Sequence, residues 1–285
     1  MEITTEFWYL LPIAIGISTL SMSSGIGGAV FFSPLFMIGL GLEPKIAIGA
    51  ALATELFGFA SGLYAYMNSK LIDYKLGMRL LVFSVPFAIL GTLYGGLVPP
   101  IVLKSIFAAG LIFIGYQLFS SWRKEEREKM NAQIGKEFEK NYESELTDKD
   151  GVVYRYTVCN KNMGRMFAAV GGAFVGMISV GLAELQEYHL VAKCKVPTRV
   201  AVATSIFVVV ITVFFASAGH FYEFASEGGK VLEDVINLVI YTIPGVVIGG
   251  QLGPRLQKVI PADKMKVAIS IIFVLVGAFM LYTLV

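Results

Sequence analysis

The chain has 285 residues, of which 56% are hydrophobic and only 15% are charged. This apolar share exceeds the ~45–50% of an ordinary soluble domain, and the mean hydropathy is +0.71. A net charge of +2 does not indicate a nucleic-acid partner. The composition therefore points to the lipid bilayer as the main partner and excludes an ordinary soluble domain.

Long apolar runs of roughly 20 residues recur along the chain, and each fits the ~30 Å hydrocarbon core of a membrane. Because lipid offers the backbone no hydrogen-bond partners, such runs must be helices. The runs are 46–67, 77–98, 101–120, 200–222, 235–253 and 265–285. The sequence therefore predicts an all-α, multi-pass integral membrane protein.

Two shorter apolar segments precede each group of three long runs. In the first half they are 8–24 and 29–41, and in the second half 166–180 and 183–194. The second segment of each pair is too short to cross a membrane. A Gly- or Ser-rich break separates the segments, and glycine tolerates positive φ and close approach of other groups. We therefore predict a hairpin of two short helices that turns near membrane depth.

The whole pattern occurs twice, with faint sequence similarity between segments 43–51 and 197–205 and a Pro-Gly segment downstream of each, at Pro86 and Pro244. Internal repeats with interrupted hydrophobic segments are typical of secondary transporters, whose substrate site lies at the interface between the repeats. Each predicted repeat is a hairpin followed by three membrane-spanning helices. The predicted units are repeat 1 over 1–120, a charged connector over 121–164 and repeat 2 over 165–285.

The distribution of basic residues favours inverted repeats, because cytoplasmic loops are enriched in Lys and Arg. If each hairpin returns to its starting side, each repeat crosses the membrane three times. One side then holds 20 of the 23 Lys and Arg residues, and the other holds only Lys45, Lys104 and Lys230. An even number of crossings would move basic residues near 193–199 and 255–266 away from the connector. We therefore expect a plasma-membrane protein with both termini outside and a cytoplasmic connector.

The connector is the only long polar stretch of the sequence. We expect a charged helix over 123–145 and a short strand over 152–158, in a solvated linker whose charges fix the topology; a regulatory domain is the alternative. Cys159 and Cys194 fall on the predicted cytoplasmic side, with no CxxC motif and no His at metal-ligand spacing. We therefore expect free, reduced thiols, and no metal and no cofactor.

Two motifs resemble the signatures of the TauE/SafE family, also called the sulfite exporter family. The first begins with 25–35 and continues with 42–50, and the second is 196–205. The resemblance implies a secondary carrier for small, mostly sulfur-containing anions that works without ATP hydrolysis. The sequence departs from the family pattern at Ala50-Ala51, where members often have Thr-Ser. It also departs at 181–184, where the second break lacks the full glycine run and the following proline.

The two breaks are the candidate substrate site. The N-terminus of a half-helix offers unpaired N–H groups and about half a positive charge, which can bind an oxyanion without a buried Lys or Arg. No basic residue lies deep in a predicted span. The alternative is that the small residues merely allow close packing of membrane helices. The candidate substrate-binding residues are Ser23, Ser24, Gly25, Gly27, Gly28, Ser179, Gly181, Thr204 and Ser205.

Glu55 is an acid near mid-membrane, since it follows Lys45 by ten residues, or ~15 Å along a helix. A charge there costs at least ~2.5 kcal/mol, so an intramembrane acid is a functional hypothesis by default. We expect it to be protonated at neutral pH. It either carries a proton coupled to transport or forms a structural hydrogen bond to a facing helix. Glu184 is a second proton-coupling candidate, although it could simply favour a helix N-terminus. We expect His220, near the outer end of its span, to face water.

The sequence predicts a secondary transporter for a small anion that works by alternating access, with proton coupling left open. The family resemblance implies a sulfur-containing anion such as sulfite, thiosulfate or a sulfonate. The alternative is a proton- or cation-coupled carrier without anion preference. A membrane scaffold would need neither an intramembrane acid nor paired breaks. The sequence has no HExxH, no GxSxG with partners and no nucleotide loop, so we expect no catalytic residues. A homo-oligomer is compatible with the sequence.

Overall fold

Helices make up about four fifths of the described chain in this computed structural model, which describes residues 5–24, 27–132, 143–256 and 262–283. The first half contains, in order, α1 (Leu10–Ser24), α2 (Ala29–Pro34) with a π-helical turn (Leu35–Gly39), α3 (Pro44–Asn68), α4 (Tyr74–Gly95) and α5 (Pro100–Ala132). The second half contains α6 (Lys161–Ile178), α7 (Leu182–Glu187) with a π-helical turn (Tyr188–Lys193), α8 (Thr198–Glu227), α9 (Gly229–Leu256) and α10 (Ala262–Tyr282). The predicted all-α membrane fold is confirmed, and a hairpin followed by three helices occurs in both halves.

Five of the predicted apolar runs lie in helices that are long and apolar enough to cross a membrane. The sixth run lies in α10, whose apolar part, Val267–Tyr282, is shorter. Local sequence explains where these helices begin. Pro44 lies in the first turn of α3, where a missing N–H has no cost, and the Asp73 carboxylate caps α4 by accepting the N–H of Leu76 at 2.9 Å.

The secondary structure of the second half of the connector differs from the prediction. An antiparallel pair forms between β1 (Ser144–Thr147) and β2 (Val153–Tyr156), with Ser144 opposite Tyr156. β2 falls within the predicted strand, but β1 falls at the end of the predicted helix, so that part of the helix prediction was wrong. The charged residues there suit an exposed strand as well as a helix, and only pairing with β2 distinguishes the two.

Each half packs against the other through matching pairs of helices. The first hairpin helix, α1, lies on α9, and its counterpart in the second half, α6, lies on α4. Likewise α3 contacts α8, and α5 contacts α10. Glycines permit the close approach: a Cβ at Gly249 of α9 would lie 2.6 Å from the carbonyl oxygen of Ile15, and one at Gly176 of α6 would collide with the carbonyl of Ala88. This packing brings the two hairpins to the centre of the protein.

Candidate functional site

The two helix breaks touch each other at this centre. The hydroxyl groups of Ser33 in α2 and Ser179 at the end of α6 are 2.7 Å apart. The backbone N–H of Gly27, at the first break, donates to Oε1 of Glu184, in the half-helix after the second break, at 3.4 Å. These pairs are 146 and 157 residues apart in sequence. The breaks of both halves therefore form one polar centre.

Two buried carboxyl groups converge on Gly27. Oε1 of Glu55 accepts the N–H of Ala29 at 3.1 Å, and a Cβ placed on Gly27 would lie 2.8 Å from that oxygen and 3.6 Å from Oε1 of Glu184. Glu55 is 5% exposed and Glu184 is 6% exposed. Within the described residues, neither carboxyl group has an ion-pair partner. Two ionised carboxyl groups so placed would repel each other.

The Glu184 carboxyl group bridges the two breaks. Its Oε1 accepts from Gly27, and its Oε2 accepts the N–H of Gly181 at 3.1 Å. Gly181 has a φ of +114°, which a side chain would strain, so glycine is required at this turn. The N–H groups that the sequence assigns to an anion are thus occupied by the protein's own carboxyl oxygens. Any other acceptor at these N–H groups would have to displace these oxygens.

The cavity beside Glu55 is small. It is lined also by Ser18 and Gly28 and has a volume of about 10 Å³. A single water molecule needs ~10–15 Å³ measured in this way, so this cavity has no room for an anion.

Comparison with known sequences decides the family. The sequence model described as "Sulfite exporter TauE/SafE" matches residues 10–280, a range that includes both breaks and all but a few residues of the chain. The chain belongs to the TauE/SafE family. It is therefore a multi-pass membrane protein of a transporter family.

Two curated relatives of this TauE/SafE protein come from Bacillus subtilis (strain 168). The probable membrane transporter protein YunE is 23% identical over 286 residues, which cover 97% of this chain and 98% of that protein. The probable membrane transporter protein YjnA is 26% identical over 250 residues, which cover 81% and 84%. No solved structure matches the chain.

The predicted site residues of this TauE/SafE member lie at different distances from the centre. Gly27, Gly28, Ser179 and Gly181 form the breaks themselves, where Gly28 precedes α2. Gly25 and the side chain of Ser24 lie outside the described part of the chain. The remaining predicted residues lie on α1 and α8. They are Ser23, Thr204 and Ser205.

These remaining hydroxyl groups bond to neighbouring elements. The Ser23 hydroxyl donates to the carbonyl of Leu20 in its own helix at 2.9 Å. The Ser205 hydroxyl donates to Oε1 of Gln186 at 3.0 Å, which connects α8 to the second half-helix. The Thr204 hydroxyl accepts the N–H of Asp73 at 3.0 Å and so lies toward the start of α4, away from the breaks. Their roles in substrate binding stay predictions.

Sequence reasoning missed Ser33 and Gln186. Gln186 is 2% exposed, and its Nε2 has no hydrogen-bond partner among the described residues. A buried amide donor without a partner costs free energy and is a group that a ligand can satisfy. Their positions in the sequence could have identified them, since both are polar residues within the short second helix of a hairpin.

Two expectations about other residues were wrong. His220 does not face water, because it is 2% exposed and its Nε2 lies 2.9 Å from the carbonyl oxygen of Gly176. Cys159 and Cys194 are not free thiols but form a disulfide, with their Cα atoms 5.0 Å apart. The fold places the end of the connector beside the end of the second hairpin, and sequence spacing does not show that contact.

Proposed function

We propose that this TauE/SafE member is a secondary transporter that carries a small, sulfur-containing anion, such as sulfite, thiosulfate or a sulfonate, by alternating access. The observation that supports this proposal is the paired break, where three backbone N–H groups point at carboxyl oxygens of Glu55 and Glu184. Backbone donors at helix breaks suit an oxyanion. Family membership supports the same substrate class.

Proton coupling follows from competition for the same donors. A carboxylate accepts hydrogen bonds about twice as strongly as a neutral group, so ionised Glu55 and Glu184 hold the N–H groups and keep the anion out. Protonation weakens this hold and removes the negative charge that would repel the anion. The anion then takes the N–H groups, with Nε2 of Gln186 as a further donor. Anion and proton therefore bind together and move in the same direction.

The arrangement in the membrane is part of the proposal. The reciprocal packing of α1 on α9 and α6 on α4 supports two repeats related by a pseudo-twofold axis. The excess of basic residues on one side supports inversion of the repeats. In this arrangement the protein lies in the plasma membrane, with both termini outside the cell and the connector in the cytoplasm. Inverted repeats would let one hairpin open to each side in turn.

Counterflow in proteoliposomes tests this function. Vesicles loaded with unlabelled sulfite, thiosulfate or taurine are diluted into the labelled compound, and chloride and acetate serve as control anions. We expect accumulation of at least one sulfur oxyanion over the controls, and faster uptake when the outside is acidified. Uptake of protons without any of the anions would instead support the carrier without anion preference. Absence of both fluxes in correctly inserted protein would contradict a transport function.

A further inference from the structure

A second cavity lies on the connector side of the protein, away from the breaks. Its volume is about 370 Å³, and it is bounded by the start of α4, the start of α6, the β1 end of the connector and the end of the second hairpin. This volume falls in the range of ligand pockets, ~300–1,000 Å³. We name it the connector cavity. Its lining contains neither Glu55 nor Glu184.

The charged lining of the connector cavity has an excess of positive groups. The basic residues are Lys75, Arg79, Lys161 and Arg165. Two acids, Asp73 and Glu143, also line it, and both already have partners. The hydroxyl of Tyr156 donates to Oδ2 of Asp73 at 2.7 Å and the N–H of Leu76 donates to its Oδ1. Lys161 bonds Glu143 at 2.8 Å and lowers the pKa of that carboxyl group.

The remaining three cations have weaker partners. The charge of Arg79 helps to lower the pKa of the Glu143 carboxyl group, and the Arg165 guanidinium lies 5.8 Å from the centre of the Phe83 ring. Arg165 bonds the neutral side-chain oxygen of Asn162 at 3.2 Å. Lys75 and Arg79 form no ion pair within 4.0 Å among the described residues. His189 also lines the cavity and is 2% exposed. The three cations, rather than this buried ring, are the groups that would bind an acidic ligand.

The rest of the lining sets the size and character of that molecule. Leu76, Leu80, Val158 and Leu190 provide an apolar wall. A single water molecule needs ~10–15 Å³ measured in this way, so the cavity has far more space than a single inorganic oxyanion fills. The mixture of cations and leucines fits an acidic group attached to an apolar body.

We propose that the connector cavity binds a small organic anion, as a separate binding site through which the anion reaches the paired breaks. Its acidic group would contact Lys75, Arg79 and Arg165, and its apolar body would contact the leucines. This step rests on the transport function proposed above. His189 follows Glu184 by five residues, or ~7.5 Å along a helix, so one half-helix connects the cavity to the centre. An occupant of the cavity would therefore touch the element that carries the bridging carboxyl group.

Calorimetric titration of the full-length protein in neutral detergent tests the proposal, with benzenesulfonate as the probe and uncharged benzenesulfonamide as its control. We expect saturable binding of benzenesulfonate and none of the sulfonamide. Inorganic sulfate should bind about tenfold more weakly, since it lacks the apolar body. Lys75→Gln/Arg79→Gln should weaken benzenesulfonate binding about tenfold or more through the loss of charged donors. Arg165→Gln is an independent second variant.

The matched control is Arg155→Gln, because Arg155 lies on the same side, pairs with Glu145 at 2.9 Å and does not line the cavity. It should bind the probe as the wild type does. Unchanged binding in both cavity variants, or a loss of binding in Arg155→Gln equal to theirs, would overturn the assignment. Displacement of the probe by phosphatidylglycerol in nanodiscs would identify a lipid head group as the occupant and overturn the soluble-anion proposal. Transport without probe binding contradicts only this site, whereas probe binding without transport contradicts only the proposed function.

Discussion

Gly27 and Gly28 are adjacent glycines whose replacement by alanine should have opposite consequences. A Cβ on Gly27 would lie 2.8 Å from Oε1 of Glu55, whereas ordinary contact begins near 3.4 Å. A Cβ on Gly28 would meet nothing closer than 3.6 Å, the distance to the hydroxyl oxygen of Ser21. Gly27→Ala should therefore push the Glu55 carboxyl group off the N–H of Ala29, while Gly28→Ala should leave it in place.

The size of the effect follows from the hydrogen bond that is lost. The Ala29 to Glu55 bond is buried and 3.1 Å long, and such bonds contribute about 0.5–1.5 kcal/mol net, or about 1–3 kcal/mol where a buried group is left without a partner. We expect Gly27→Ala to lower the free energy of unfolding by about 1 kcal/mol and to impair transport strongly. We expect Gly28→Ala to stay within about 0.5 kcal/mol of the wild type, as substitutions that break no contact do.

The assay is a double-mutant cycle with thermal unfolding in detergent and counterflow in proteoliposomes. In a Glu55→Ala background the carboxyl group is absent, so Gly27→Ala should no longer lower the stability. Equal stability losses for Gly27→Ala in both backgrounds would show that the contact with Glu55 is not the cause. Normal transport by Gly27→Ala would show that the position of the carboxyl group does not matter.

Three further predictions follow from the site and the topology. Glu55→Gln should keep the fold, because its amide oxygen can still accept one N–H. It should lose uptake driven by a pH gradient, while exchange without a gradient persists. Full gradient-driven uptake by this variant would remove Glu55 from the mechanism. Glu184→Gln should unfold at a lower temperature than Glu55→Gln. The single amide oxygen leaves one of two buried N–H groups without an acceptor, at a cost of about 1–3 kcal/mol. Equal midpoints of thermal unfolding would contradict the role of Glu184 as a bridge between the two breaks. Single cysteines in a cysteine-free background, Lys104→Cys and Lys193→Cys, should react with an impermeant thiol reagent from opposite sides of the membrane, and labelling from the same side would contradict inverted repeats.

The sequence was sufficient for the helices and the breaks because their signals are local. Apolar length predicts a spanning helix, and the turn at Gly181 needs a glycine whatever surrounds it. The contacts between distant segments carry no such local signal. The bond between Ser33 and Ser179 depends on how the halves interleave, and the disulfide between Cys159 and Cys194 depends on where the connector meets the second hairpin. The acids could be named from the sequence, but their meeting at one glycine could not.

The two acids are not repeat equivalents, and this asymmetry bears on how the transporter works. The aligned segments 43–51 and 197–205, extended along α3 and α8, place Val209 opposite Glu55. α2 and α7 begin after Gly28 and Gly181, and matching their starts places Phe31 opposite Glu184. Each half thus contributes one carboxyl group from a position where the other half has an apolar residue, and both groups reach the first break. Because Glu184 also accepts from Gly181 at the second break, a movement of this side chain away from the centre would release N–H groups at both breaks. A single carboxyl group that binds both breaks would couple their opening, and so would keep an anion released by one hairpin within reach of the other.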